Sequence, residues 1–440
     1  MAYSKKLLDF FKAQGIKEGD RVRAEKGGIV YAGMLMPRAA GDENALVLKL
    51  DSGYNVGVSF SEKMVLEKLP AKSVAVKAEK PVAAKHKAGL PKLAIVATGG
   101  TIVSKVDYKT GGVYALEKPE ELIRQFPDLL DACELRKISS PFTVMSEDIS
   151  SANWIALAKE VSKELKESDS VIVTHGTDAL GYSAAALSFM IATNKTVALV
   201  GAQRSPDRGS FDGAMNLVCA AHFASKAHYP GVAVVMHGSS SDDFCYAHKG
   251  TKVRKMHSSR RDAFQTINGK PLAKIYSDGR IEEMAFEAKK AEEGLDAVFE
   301  EKVSLIKAYP NSDPAILDWL IENGNRGILI EAMGLGHVPT NGPKSWIPHV
   351  AKAVDKGVFV GITTQTLYGA VNPLVYSNLR KLSEAGAVFL EDGLPETMYV
   401  KLGWVLAHPK WNAKEKMLEN LRGEFNPRLK DSDFRLPSTK

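Results

Sequence analysis

Leu93-Ala94-Ile95-Val96-Ala97-Thr98-Gly99-Gly100-Thr101-Ile102 is the stretch whose reading decides the fold of this chain. Its first half is apolar without interruption, as expected of a strand buried on both faces of a sheet. Its second half breaks at paired glycines and presents Thr101 just past the strand end. A second stretch, Val171-Ile172-Val173-Thr174-His175-Gly176-Thr177-Asp178-Ala179-Leu180, repeats the design and leads into a helix start. Two such strands in one sheet deliver two hydroxyls and a carboxylate to one edge. In open α/β sheets, ligands bind outside the carboxyl ends of the strands.

Outward from this pair, the chain alternates strands and helices. Buried strands are expected at 93–97, 171–174, 196–201, 231–236, 303–307, 327–331, 358–363 and 387–390. Helical patterns cover 152–167, 178–193 and 347–355. Such alternation predicts a mostly parallel sheet with helices on both faces. A charged region from about Glu287 to Glu301 has little β signal and suggests a second boundary.

Before Leu93 the style differs. Leu7, Leu8, Phe10 and Phe11 form an apolar stripe on a helix over 4–14, with Gly15 as its stop. Short apolar segments follow at Arg21–Ala24, Ile29–Met34 and Ala45–Leu50, with Asp51-Ser52-Gly53 as a tight turn into Tyr54–Val58. This suits a small β-barrel of the SH3-like kind. Lys- and Ala-rich sequence around Pro81 then reads as an exposed linker. The expected organisation is a β-barrel at 1–75, a linker at 76–92, α/β domains at 93–290 and 302–410, and a tail at 411–440.

Composition narrows the function classes. The 440 residues suffice for two or three domains with real cores, and 45% hydrophobic with 25% charged residues is ordinary for a globular protein. No apolar run is long enough to span a bilayer, and Met1–Lys6 lacks the apolar core of a signal peptide. A cytoplasmic location is expected, with no membrane partner. Cys133, Cys219 and Cys245 form no CxxC pair, so neither a disulfide framework nor a zinc site is indicated. The net charge of +6 reads as a lysine-rich surface that allows a nucleic-acid partner without indicating one. No GxxxxGK[ST] loop is present, so nucleotide chemistry should lie elsewhere.

Amide hydrolysis needs a nucleophile, a base and donors for the oxyanion. Thr101 and Thr177 are both candidate nucleophiles. Asp178 and a nearby lysine tuned by burial and charge would handle the proton. Gly99, Gly100 and Gly176 would let backbone N–H groups approach the oxyanion. Taken singly, Thr-Gly-Gly-Thr is a turn and Asp178 a helix cap. Both motifs in order, each after an apolar strand, make a far more specific signal.

The pair Thr98-Gly99-Gly100-Thr101-Ile102 and His175-Gly176-Thr177-Asp178-Ala179-Leu180 resembles the signature pair of the L-asparaginase-type amidohydrolase family. The resemblance runs from about Leu93 to His408, roughly three quarters of the chain. It implies a two-domain, doubly wound α/β fold. It also implies a catalytic lysine within Gly250–Phe264; counting back from Phe264 places it at Lys255, with Lys252 the weaker alternative. Tyr114 falls on the loop tyrosine that closes over substrate. Ser146 and Glu147, in Met145-Ser146-Glu147-Asp148-Ile149, fall where the substrate α-carboxylate is held. Gly201–Arg204 and Asp212–Leu217 match the stretch after the third strand.

Residues outside this core point to one branch of the family. Lys49–Gly57, Gly334–Pro339, Thr364-Gln365, Tyr368-Gly369 and Glu391–Leu402 resemble the GatD family of archaeal glutamyl-tRNA(Gln) amidotransferase subunits. Two positions depart from its pattern: Gly393, where methionine is expected, and Met398, where alanine is expected. The resemblance implies a glutaminase subunit that releases ammonia from glutamine or asparagine. A GatE-like partner subunit would then convert Glu-tRNA(Gln) to Gln-tRNA(Gln). No cofactor is expected in this chain, ATP and Mg being expected on the partner. A homodimer within a heterotetramer, with tRNA(Gln) met through the complex, is also implied. A free-standing L-asparaginase and a non-catalytic RNA-binding protein on the same scaffold stay open as alternatives.

Overall fold

The computed structural model describes residues 3–36, 43–50, 55–61, 63–70, 89–99, 104–106, 113–115, 122–123, 125–205, 210–286 and 292–434; the expected turn at Asp51–Gly53 lies outside them. Helix α1 (Lys5–Ala13) comes first, capped by the Ser4 hydroxyl. Strands β1 (Arg21–Lys26), β2 (Ile29–Leu35), β3 (Ala45–Leu50), β4 (Asn55–Ser59) and β5 (Val65–Lys68) follow. They form an antiparallel sheet in the order β4-β3-β2-β1-β5. Alternate residues Val22, Ala24, Leu46 and Leu48 face a small core sealed by Leu7 and Phe11 of α1. This is the expected small β domain. Among the described residues β4 and β5 are not paired with each other, so the sheet does not close into a barrel there.

The α/β part opens with β6 (Lys92–Ala97), the hairpin β7 (Ser104–Val106) and β8 (Val113–Ala115), helix α2 (Leu129–Ala132) and β9 (Glu134–Ser139). Then come α3 (Ser151–Glu167), β10 (Ser170–Thr174), α4 (Leu180–Met190), β11 (Ile191–Ala192), β12 (Thr196–Val200), α5 (Gly213–Lys226) and β13 (Gly231–His237). Shorter strands follow: β14 (Cys245–Lys249), β15 (Val253–Lys255), β16 (Phe264–Thr266), β17 (Ala273–Ile275), β18 (Ile281–Glu283) and β19 (Gly294–Leu295). The main sheet has the order β18-β17-β14-β13-β12-β10-β6-β9. From β9 to β13 it is parallel, and from β13 to β18 antiparallel.

The unbroken apolar runs are explained by two cores, one on each face of this sheet. On β6, Ala94 and Val96 enter one core while Leu93, Ile95 and Ala97 enter the other. On β10, Val171 and Val173 part from Ile172 in the same way. Strand β9 is absent from the strands expected from sequence because it is an edge strand with a charged stretch. Its Arg136 and Lys137 reach across to Glu164 of α3, Lys137 at 2.8 Å.

The remaining elements are β20 (Val303–Lys307), α6 (Ala315–Glu322), β21 (Gly327–Ala332), α7 (Ile347–Asp355), β22 (Phe359–Thr364), α8 (Ser377–Glu384), β23 (Val388–Phe389), α9 (Pro395–Leu406) and α10 (Ala413–Leu418). Strands β20 to β23 form a second sheet, parallel throughout and in sequence order. Helix α4 is apolar all round because it lies between the first sheet and α9. Phe189 stacks on Trp404 with centroids 5.7 Å apart. Each buried Leu, Phe or Met there contributes roughly 1.5–3 kcal/mol relative to exposure. Surface ion pairs contribute about 0–1 kcal/mol each, so apolar burial is the main contribution to the join between the two α/β units.

Residues past 410 pack back onto this core. Met417 and Phe425 are buried, and Lys401 of α9 meets Glu424 at 2.7 Å with neither side chain exposed. The departures at Gly393 and Met398 are one packing exchange. A Cβ at 393 would lie 2.7 Å from Met398 Sδ, so the glycine makes room for the thioether.

Candidate active site

Strands β6 and β10 are parallel neighbours in register, Ala97 beside Thr174. Both therefore end at the same edge of the sheet. Thr98 continues the contact, its amide and hydroxyl each donating to the Thr174 carbonyl at 3.1 Å. Gly99 is the last described residue of this first turn; Gly100 and Thr101 lie outside the described residues. Tyr114 lies on β8, in register with Lys105 of β7, and its side chain is likewise outside them.

The second turn is complete. Thr177 and Asp178 precede α4, whose N-cap is Ala179 with no side-chain cap. Asp178 is thus not spent on the helix end. Its carboxylate instead meets Lys255, Nζ to Oδ1 at 2.7 Å, and the same Nζ donates to Thr177 Oγ1 at 2.9 Å. Lys255 ends β15, which pairs with β16 so that Lys255 stands opposite the buried Phe264. The lysine side chain is 16% exposed and the aspartate 67%. An ion pair this open to solvent adds at most about 1 kcal/mol of stability, so its consequence is orientation.

Lys252, the alternative lysine, points elsewhere. Its Nζ lies 2.6 Å from Asp392 Oδ2 in a pair almost fully buried. Asn426 supports that carboxylate through its amide at 3.0 Å and its side chain at 2.9 Å. Burial lowers the Lys252 amine and the Asp392 charge counters it. Lys252 ties the two α/β units together, whereas Lys255 serves the strand ends.

Ser146 opens a 3-10 turn (Ser146–Asp148) and is buried against Gly176. A Cβ at 176 would lie 2.7 Å from Ser146 Cβ, so glycine alone permits this approach. Glu147 is exposed on the next position. His175, fully enclosed, donates from Nδ1 to the Gly176 carbonyl at 2.6 Å. Burial pushes its imidazole down to about 4, with that hydrogen bond opposing. It is therefore a neutral side chain at neutral pH.

The structure thus brings Thr177, Asp178, Lys255, Gly176 and Ser146 to one edge, with Glu147 exposed beside Ser146. Arg260 pairs within its own loop, with Asp262 at 2.7 Å, whereas Arg261 reaches Asp242 at 2.6 Å. Asp242 and its partner His237 do not stand out in the sequence, although a histidine closing an apolar strand is a usable signal. Among the described residues no cluster of His, Cys, Asp or Glu could hold a metal ion. Nor is any helix among them long and apolar enough to cross a membrane.

Residues 92–287 match the model of the asparaginase N-terminal domain, and 302–417 that of the glutaminase/asparaginase C-terminal domain. Residues 16–69 match the GatD N-terminal domain. The GatD subunit of the Pyrococcus furiosus glutamyl-tRNA(Gln) amidotransferase is 46% identical, covering 98% of this chain and 99% of the relative. This chain belongs to the GatD family. The corresponding protein of Methanothermobacter thermautotrophicus is 40% identical over 99% of this chain and all of the relative. Among solved structures, the thermostable L-asparaginase of Thermococcus kodakarensis superposes with a TM-score of 0.67 at 28% identity, over 77% of this chain and 100% of its own. The probable cytoplasmic L-asparaginase of Campylobacter jejuni gives a TM-score of 0.62 at 27% identity, over 75% of this chain and 99% of its own. The fold is therefore that of the asparaginases, with the GatD module added in front.

Proposed function

We propose that this chain hydrolyses the side-chain amide of glutamine and hands the ammonia to a GatE-like partner subunit. The partner, with ATP and Mg, would amidate Glu-tRNA(Gln) to Gln-tRNA(Gln). The observation that carries the reading is the Lys255 ammonium within hydrogen-bond reach of both Thr177 Oγ1 and Asp178 Oδ1. Strand β10 and the β15–β16 hairpin position these groups, so little reorganisation is needed at the moment of reaction.

A threonine oxygen attacks the amide carbon, the C–N bond breaks, and ammonia leaves carrying the threonine proton. Water then attacks the ester and restores the hydroxyl, releasing glutamate. While Lys255 donates to Thr177 Oγ1, the Thr177 proton points away from the lysine. Lys255 becomes a base only after shedding a proton, and Asp178 steadies the charged form between steps. Thr101 is the proposed first nucleophile, with Tyr114 assisting and Thr177 activating the water. Ser146 and Glu147 hold the substrate at its α-carboxylate end, and Gly100 and Gly176 lend backbone N–H groups to the oxyanion.

Ammonia release from glutamine tests the scheme. Thr101→Ala and Thr177→Val should each lower kcat by about a hundredfold or more. Near wild-type rates in both variants sink it. The resemblance to solved L-asparaginases favours one competing reading, a free-standing asparaginase. Amidation of Glu-tRNA(Gln) with and without the partner separates the two. Asparagine turnover indifferent to partner and tRNA supports the competitor. The match of residues 16–69 to the GatD N-terminal domain supports the amidotransferase. A homodimer within a heterotetramer is the assembly this reading expects.

A further inference from the structure

His237 closes β13 with no exposed surface, and an oxygen faces each of its ring nitrogens. Nδ1 meets Asn216 Oδ1, and Nε2 stands 3.0 Å from Asp242 Oδ1. The Asn216 amide cannot be turned round. Its nitrogen donates to the Gly201 carbonyl at 2.9 Å and to Asp212 Oδ2 at 3.1 Å. Reversal would set its oxygen against a carbonyl and a carboxylate. The Cys245 thiol, 3.5 Å from the same Asn216 oxygen, also treats it as an acceptor. On the other side, Arg261 Nη1 lies 2.6 Å from Asp242 Oδ1. A neutral imidazole has one N–H, so either neutral tautomer leaves a ring lone pair facing an oxygen.

We infer that His237 is held as an imidazolium that donates from both nitrogens, and that through Asp242 and Arg261 it positions the hairpin carrying Lys255. The Asp242 carboxyl is held below its usual range, first by the His237 hydrogen bond and then by the Arg261 charge, with partial burial opposing. Groups around the ring come from every neighbouring element: Asn216 and Asp212 at the start of α5, Cys245 on β14, Asp242 on the β13–β14 turn, and Arg261 beyond β15. Arg261 also donates to the Ser240 carbonyl, so its fork grips the turn at two points. The Lys255 hairpin is closed between Met256 and Ala263, with Arg261 just inside the closure.

The same ring reaches the other half of the site. Asn216 binds the Gly201 carbonyl, and a Cβ at 201 would lie 2.8 Å from Thr177 Cγ2. One buried cation therefore braces the segment behind Thr177 and the hairpin beyond Lys255. His237, Asp242 and Arg261 are positioning residues, since none of them touches Thr177 or Lys255 directly. Their effect on turnover rests on the amidase reading, whereas the charge on His237 does not.

The test has two arms, both on the full chain. With histidine labelled by nitrogen-15, the His237 ring should show both nitrogens protonated near neutral pH, the signal being assigned by its loss in His237→Gln. A nitrogen in the unprotonated range overturns the inference, with or without turnover. In the complex, Asp242→Asn should lower kcat for glutamine by roughly tenfold to a hundredfold with KM within about twofold, as a small misplacement of a reacting group does. Asparagine keeps an acceptor oxygen for the His237 Nε2 hydrogen bond but removes the counter-charge, so kcat is compared per folded molecule, with the urea midpoint measured alongside. Unchanged kcat in that variant overturns the positioning role. Arg260→Ala, which breaks only a pair inside the loop, should stay within about twofold of wild type.

Discussion

Lys255 Nζ lies 2.9 Å from Thr177 Oγ1, although 78 residues separate the two in the chain. Thr177 follows a central parallel strand, and Lys255 ends a strand of a separate two-stranded hairpin. The contact exists because β13 and β14 carry the chain across the sheet and back before that hairpin forms.

Replacing the lysine separates orientation from stability. Lys255→Met should reduce kcat by about a hundredfold to ten-thousandfold, the range for losing a positioned acid–base group. Its stability should change by less than about 1 kcal/mol, since the ion pair it breaks is open to solvent. Ammonia release and urea denaturation measure the two quantities. A large loss of stability would show Lys255 to be a structural residue.

Gly176→Ala tests the seating of Ser146. The added methyl would stand 2.7 Å from Ser146 Cβ. Over-packing of this kind costs roughly 1–3 kcal/mol. Relief by displacement of Ser146 should raise KM for glutamine more than it lowers kcat. A KM within twofold of wild type places Ser146 outside the substrate site.

Lys252→Met should behave in the opposite way to Lys255→Met. Breaking a buried ion pair by removing one partner costs roughly 3–5 kcal/mol, because the other charge stays buried. Asp392 keeps its two bonds from Asn426, which places the loss toward the lower end. The double variant Lys252→Met, Asp392→Leu should recover part of it. Urea midpoints compare the three, and any glutaminase remaining per folded molecule should be near wild type.

His175 predicts a specific acid sensitivity. Its imidazole lies at about 4 in the folded chain against an ordinary 6.5. Between these values the unfolded chain binds the proton and the folded chain does not. Its contribution is therefore complete above 6.5 and is lost as pH falls toward 4, at up to about 1.4 kcal/mol per pH unit. His175→Asn should flatten the fall of the thermal midpoint across that window. An unchanged slope would show that other groups govern it.

The main strands were legible because a strand buried on both faces must be apolar at every position, whichever core each residue enters. Val171, Ile172 and Val173 read as one run for that reason, and so do Leu93 to Ala97. Edge and hairpin strands carry no such constraint. Strand β9 mixes Leu135 and Ile138 with Arg136 and Lys137, and β15 ends in two charged residues, so neither stood out.

What the sequence by itself determined is the order of parts. It specified a small β module, a parallel sheet with glycine turns at two strand ends, and a family resemblance that places a lysine at 255. These follow from local physics, since periodicity, turn residues and motif spacing are properties of short segments. What only the tertiary structure decided is which charges meet. Asp178 could have capped its own helix, and Lys252 stands just three positions before Lys255. Burial against Asp392 and Asn426 took Lys252 for the join between the α/β units. The hairpin's pairing with Phe264 turned Lys255 to Thr177 and Asp178. A side chain's partner depends on which distant segments share its space, and no short window of sequence records that.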